Sequence, residues 1–152
     1  MKLKRYRGGG VLYWTRNADG KKEILLGLRK YGFDRNTWSI PGGGLQPQDA
    51  GDLVRCAVRE AQEEGFAGHP IVEAALRAAQ SRELMAPGSG SVRIRLPFFD
   101  WRTLLVELPE KPDKWPRRIR EFREAKWFRV NELPARTHWG VRWVLLASLY
   151  QT

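Results

Sequence analysis

The order of patterns along this chain predicts a layered α/β or α+β fold. Two β-rich runs open it, over residues 8–15 and 23–29, with turn residues at 17–20 between them. A helical pattern is embedded early, with apolar residues at 53, 54, 57, 58 and 61, and strand patterns return after it. Strands and helices mixed in this order bury their apolar faces against one another in layers.

Each element has its own reason. Residues 8–15 (Gly-Gly-Gly-Val-Leu-Tyr-Trp-Thr) read as a central strand, and 23–29 as its hairpin partner across the Asn17-Ala-Asp-Gly20 turn. Residues 31–36 are loop, and 38–41 form a short strand that delivers the chain to Gly42-Gly-Gly44. The next helix starts near Asp49 or Asp52, either of which can cap it, and Gly65 closes it. Its stripe of Leu53, Val54, Ala57, Val58 and Ala61 faces the sheet. Residues 71–84 read as a second helix, with a strand as the competing reading of the later half. Residues 87–90 form a turn. One or two strands lie in 92–108, with Pro97 at a bulge or edge, and another lies around Trp127 and Phe128. Thr137 caps a closing helix built on Trp139, Val141, Trp143, Val144, Leu145, Leu149 and Tyr150.

A chain of 152 residues is one domain, here 1–152, large enough to bury a real core. Its 27 Lys and Arg against 17 Asp and Glu give a formal charge of +10, which favours polyanionic partners such as nucleotides, RNA or inositol phosphates. One cysteine excludes an internal disulfide and a cysteine zinc cluster, and two histidines disfavour a histidine-rich metal site. The basic N-terminus has no apolar run after it, so no secretory signal is expected, and no transmembrane helix either. The expectation is a cytoplasmic enzyme or binding module.

The stretch 38–66 carries the chemistry. A glycine-rich turn leads into a helix bearing Glu60, Glu63 and Glu64, at spacings of three and four. At 100° per residue these fall within an arc of roughly 100°. Like charges gathered this way repel, and a hard, oxygen-loving divalent cation, Mg²⁺ or Mn²⁺, relieves the repulsion. Glycine lets backbone approach, so the carbonyl of Gly43 or a neighbour can add a ligand. Such an ion neutralises phosphate oxygens and polarises a water for attack on phosphorus.

These residues resemble the Nudix box of the Nudix hydrolase (MutT-like) family. Trp38-x-x-Pro-Gly-Gly followed by Arg59-Glu-Ala-x-Glu-Glu64 matches the core of the family pattern Gly-x5-Glu-x7-Arg-Glu-U-x-Glu-Glu-x-Gly-U, with U a bulky aliphatic residue. Ile24-Leu-Leu-Gly-Leu-Arg29 is similar to the family's entry strand. Glu124-Ala-Lys-Trp-Phe128 with Glu132-Leu-Pro134 is similar to its late strand and turn. The stretch after Trp38, with the late Glu-x-x-Trp-Phe, most resembles the diphosphoinositol and dinucleoside polyphosphate hydrolases. The resemblance implies an α/β/α sandwich with a mixed central sheet. It also implies Mg²⁺-dependent hydrolysis of a phosphoanhydride in a nucleoside diphosphate derivative or similar polyphosphate, an RNA end among the candidates. Carried over by position, Glu60, Glu63 and Glu64 are metal ligands, with Glu60 a candidate base. Gly43 gives a carbonyl ligand, Arg59 orients the carboxylates, and Glu124 is a further acidic ligand or base.

The chain departs from the pattern. Five residues separate Gly43 from Asp49, which stands in place of Glu, and nine residues then separate Asp49 from Arg59 instead of seven; keeping helix register puts Gly51 at the Glu position. Arg59 therefore lacks its glutamate partner, and Asp49, Asp52 or Glu63 must compensate. Phe66 stands where Gly is expected, and Ala61 is small.

Alternatives stand beside several assignments. The glutamates could be a solvated acidic face, and Arg59 a plain pair with Glu63. Nothing marks Cys56 as activated, which leaves it a small packing residue. Arg29 and Lys30, at a strand end, are phosphate contacts or solvated cations. Trp38, Trp101, Trp115 and Tyr13 could stack a base or pack the core. The basic run at 111–126 clamps a polyphosphate or RNA backbone, or is a solvated loop. The functional alternative is a catalytically inactive Nudix-fold module that binds a nucleotide or RNA, motivated by the irregular spacing after Asp49. A homodimer is left open.

Overall fold

In the computed structural model, residues 4–85 and 90–149 are described. Seven strands and three α-helices follow in the order β1 (Tyr6–Arg16), β2 (Lys22–Arg29), β3 (Trp38–Ser39), β4 (Gly42–Gly44), α1 (Leu53–Glu63), α2 (Pro70–Met85), β5 (Ser91–Leu96), β6 (Phe99–Glu107), β7 (Phe122–Arg129) and α3 (Trp139–Ala147). A 3₁₀ turn, Pro47–Asp49, precedes α1.

The sheet is mixed: β1 runs parallel to β6, and the other pairs are antiparallel. β1 and β2 are zipped only at one end, where Trp14, Thr15 and Arg16 face Ile24, Glu23 and Lys22. At the other end they part. The segment 38–44 enters this fork, β3 pairing with β2 and β4 pairing with β1. The expected glycine turn is therefore a strand, with Gly42–Gly44 set against Gly8–Gly10. Glycine is required on both sides of the pair because helix α1 presses on it: a Cβ on Gly9 would lie 2.4 Å from the Leu53 carbonyl oxygen.

Alternation along the strands splits the core in two. Val11, Tyr13, Leu25, Leu104 and Val106 face α1 and α2, joined by Ala57, Ala61, Val72 and Leu76. Leu12, Ile24 and Leu26 face α3 through Val141, Leu145 and Leu149. This is the expected α/β/α sandwich with a mixed central sheet.

The second helix continues to Met85, so the strand reading of its later half is not realised. Pro97 lies in the turn joining β5 to β6, outside both strands. His138, and not Thr137, caps the closing helix, its Nδ1 accepting the Gly140 N–H at 3.0 Å; the Thr137 hydroxyl is spent on the Pro134 carbonyl at 2.7 Å. The expected turn at 87–90, apart from Gly90, and Tyr150 of the closing helix lie outside the described residues. No helix among the described residues is long and apolar enough to cross a membrane.

Candidate active site

Arg59 is the hub. Its Nε and Nη2 donate to the two oxygens of Asp49 at 2.8 and 2.9 Å, and Nη1 donates to Glu60 at 3.1 Å and Glu63 at 3.0 Å. Nη2 also donates to the Gly44 carbonyl at 3.1 Å. Asp49 is only 1% exposed, and the Arg59 guanidinium holds its carboxyl below the usual range. The missing glutamate partner is thus replaced by Asp49. The chain reaches that position because the extra residues between Asp49 and Arg59 make a tight detour. Asp49 ends the 3₁₀ turn while accepting the Gln46 N–H at 2.9 Å, Ala50 and Gly51 take positive φ, and Asp52 starts α1 afresh by accepting the N–H groups of Val54 and Arg55. Asp52 therefore spends its carboxylate on the cap and does not support Arg59.

Glu60 reaches back over β4. A Cβ on Gly43 would fall 2.5 Å from the Glu60 carboxyl carbon, so only glycine leaves room for that carboxylate. Burial pushes Glu60 upward against the opposing pull of Arg59. Glu64 is 4% exposed, accepts the Gly42 N–H at 3.3 Å, and is pushed up by burial to about 8 despite the nearby Arg29 guanidinium. Glu121 acts on it as well, as a neighbouring charge and as a hydrogen-bond partner. Glu63 is turned the other way, its side chain 54% exposed and held by Arg59.

The expected set is therefore only partly assembled. Glu60 and Glu64 converge beside Gly42 and Gly43, while Glu63 stays on the outer side of Arg59. The Gly43 carbonyl is in reach of the Cys56 thiol at 3.5 Å. That thiol is fully buried and pushed up to about 11 by burial, which fits a packing residue and not a nucleophile. Glu124 does not join the site: its carboxylate pairs with Lys126 at 3.5 Å. β7 carries a bulge, where Gly27 faces Ala125 but Arg29 faces Phe122. Glu124 keeps the strand parity of Lys126 and Phe128, and Glu121, beyond the bulge and just before the strand, is the acidic neighbour of Glu64. No sequence signal separated these two glutamates.

Among the expected substrate contacts, Arg29 lies in the site, its guanidinium 3.3 Å from Asp34, 3.6 Å from Glu121 and donating to the Ile40 carbonyl at 3.3 Å. Lys30 instead sits over the Tyr31 ring at 5.6 Å. Trp38 packs edge-on against Phe128, ring centroids 4.9 Å apart, within the α3-side core. Tyr13 and Trp115 are likewise core residues. A cavity of about 430 Å³ opens beside Gly42 and Gly43, with Arg29, Asp34 and His138 on its walls. Its aromatic face is a near-parallel set, Tyr6 to Phe99 at 5.9 Å and Phe99 to Trp101 at 6.0 Å, with Trp139 at its edge. Of the expected stacking residues, Trp101 lines this cavity. Tyr6 and Phe99, which alternate-strand register brings beside it, were not legible in advance.

The profile of the NUDIX domain family matches residues 7–149. The chain belongs to this family. Comparison of the Nudix chain with curated proteins finds no match. Among solved structures it is similar to the Nudix hydrolase RenU from M. smegmatis, with 17% identity, 97% of this chain and 85% of that one covered, and a TM-score of 0.61. The C. elegans Ap4A hydrolase in a binary complex shares 17% identity over 95% of this chain and 96% of that one, with a TM-score of 0.62. The NUDIX domain of Shewanella oneidensis NrtR, crystallised with ADP ribose, shares 12% over 97% and 89%, at 0.61. The family makes the enzyme class that of a Nudix pyrophosphohydrolase.

Proposed function

We propose that this Nudix domain hydrolyses a phosphoanhydride bond in a nucleoside diphosphate derivative, using Mg²⁺ or Mn²⁺. The observation that carries this reading is the seating of Glu60 and Glu64 on β4, with Arg59 locked to Asp49 behind them. The oxygen-only donors fit a hard divalent ion. Mg²⁺ and Mn²⁺ are commonly held by one or two carboxylates, the remaining positions being filled by water and substrate phosphates. Glu60 and Glu64 would hold the ion, and the Gly43 carbonyl or Glu63 would add a further oxygen ligand. When bound, the ion supplies charge neutralisation at the phosphates and a more acidic water.

The chain's own residues do the rest. Arg59 fixes Glu60 in place and opposes the burial that pushes its carboxyl upward. Glu121, more than half exposed at 55% and next to Glu64, is placed to take the proton of the attacking water. Arg29, at the boundary between carboxylates and cavity, faces a phosphate oxygen. The flat aromatic wall of Tyr6, Phe99 and Trp101 accepts a base by stacking, worth about 1–3 kcal/mol per base. The solved relatives act on or hold adenine nucleotides by their printed names, Ap4A and ADP ribose, which supports such a ligand here. The Arg59–Asp49 pair supports the active reading over a catalytically inactive Nudix-fold module that binds a nucleotide or RNA.

The test is metal-dependent product release from a panel of nucleotide sugars, dinucleoside polyphosphates, capped RNA ends and inositol pyrophosphates. Glu60→Gln and Glu64→Gln should each lower kcat by about 10²–10⁴-fold, Glu121→Gln by a similar factor, and Glu124→Gln by less than about threefold. Equal turnover by the wild type and the Glu60 and Glu64 variants would overturn the reading.

A further inference from the structure

The basic run at 111–126 divides into two groups in the structure. Lys111 is paired with Glu23 at 2.9 Å and Lys126 with Glu124 at 3.5 Å. Lys114, Arg117, Arg118, Arg120 and Arg123 are exposed, and none of the five forms an ion pair among the described residues. Like charges so close in sequence repel one another.

The segment that bears them is not a loose loop. Trp115 is pinned by its indole N–H to the Ala67 carbonyl at 3.1 Å and packs edge-on against Tyr13 with centroids 5.1 Å apart. Ile119 packs against the α1-side core. The backbone lies directly on the C-terminal end of the carboxylate helix: the Arg120 N–H donates to the Glu64 carbonyl at 3.3 Å, and the Arg118 carbonyl occupies the space where a Cβ on Gly65 would be, 2.4 Å away. Gly65, one place early against the family pattern, is what lets this loop close on the helix. One residue further on, Glu121 meets Glu64. The carboxylates therefore touch two unlike surroundings: the aromatic cavity through Gly42 and Gly43, and the rigid basic loop through Glu64 and Glu121.

We propose that Arg118, Arg120 and Arg123, with Lys114 and Arg117 at their side, form a phosphate subsite for a substrate carrying phosphates beyond the cleaved anhydride. Arginine's planar fork matches phosphate oxygens, and a loop already held by Trp115 and Ile119 loses little entropy on binding. The location of the cleaved bond rests on the hydrolase reading; the affinity for extra phosphate does not. The ligand chemistry is a chain of phosphates, whether a linear polyphosphate tail on one nucleoside or the backbone of a 5′-phosphorylated oligonucleotide.

The experiment measures Kd for non-hydrolysable methylene-bridged analogues of adenosine diphosphate and adenosine tetraphosphate, and KM for the hydrolysable parents. It uses the wild type, an Arg118→Gln/Arg120→Gln/Arg123→Gln variant and the matching triple Lys variant. The wild type should prefer the longer chain by about tenfold or more, and the preference should shrink as salt rises from about 50 to 200 mM. The Gln variant should bring the ratio close to one, and the Lys variant should keep most of it. A 5′-triphosphorylated oligonucleotide that binds tighter still, with the gain lost in the Gln variant, also supports the subsite and names the nucleic-acid backbone as its source. A wild type without preference for the longer chain, or a Gln variant that retains it, overturns the proposal. Preferential binding without turnover would overturn the hydrolase reading and leave the subsite standing.

Discussion

Asp49 shows how a residue that breaks a family pattern keeps its physics. Its carboxylate forms a fork-to-fork pair with Arg59, a geometry whose strength comes from two parallel charge-assisted bonds. Removing one partner of a buried pair leaves the other charge uncompensated, at a cost of about 3–5 kcal/mol. Glu60 and Glu63 still hold Arg59 in an Asp49→Asn variant, which places the loss near the lower end, about 3 kcal/mol in urea unfolding. Loosening the support of Glu60 should also lower kcat/KM by about 10–100-fold, while KM for metal rises. An Asp49→Asn variant that matches wild type in both assays would show that Arg59 needs no buried partner. The sequence named Asp49 among three compensating candidates and could not rank them, because the ranking depends on the two positive-φ residues that turn the chain back. Glu121 was invisible for a similar reason. Counting from Trp127 assumes a regular strand, and the bulge in β7 shifts the count.

Elements were more legible than their edges. Apolar patterning located α1 and α3, helix propensity located α2, and two β-rich runs around a turn located the hairpin of β1 and β2, because each rests on a local signal. What periodicity could not show is the fork, since pairing of Gly42–Gly44 with Gly8–Gly10 leaves no side-chain signature at all. The consequence can be tested with two single methyl groups. Gly9→Ala drives a Cβ into backbone, the Leu53 carbonyl, and should cost about 1–3 kcal/mol because α1 must move off the sheet. Gly43→Ala meets the mobile end of Glu60 instead. Its unfolding midpoint should stay close to wild type while kcat falls by about 10²-fold, as expected for an ångström-scale displacement of a site group. Similar losses of stability in both variants would remove the distinction between a structural and a functional close approach.

At the scale of the whole molecule the +10 charge is not spread evenly in its consequences. Near the sheet edge it is spent internally. Asp100, 1% exposed, accepts from Arg93 at 2.8 Å through both oxygens and from Arg7 at 3.3 Å, and these arginines hold its carboxyl down at about 2. An unfolded aspartate titrates near 3.9, so the folded state binds this proton less readily than the unfolded one. The resulting stabilisation, about 2–3 kcal/mol, is complete above roughly pH 4 and is lost as pH falls towards 2. Urea midpoints measured across that window should drop in the wild type, and the drop should be shallower in Asp100→Asn. Composition announced a polyanion partner, but it could not say that some arginines are committed to Asp100 and Glu83 while those of the 114–123 segment remain outward.

The fork between β1 and β2 bears on motion as well as on architecture. Because Trp38–Ser39 is hydrogen-bonded to β2 and Gly42–Gly44 to β1, the shelf beneath Glu60 and Glu64 is part of the sheet and not a flap resting on it. Loosening that shelf means breaking central pairing, which belongs to the costliest class of opening a folded domain undergoes. The seat against which Glu60 and Glu64 rest is therefore fixed, and any adjustment at the site falls to the side chains themselves and to the cavity mouth.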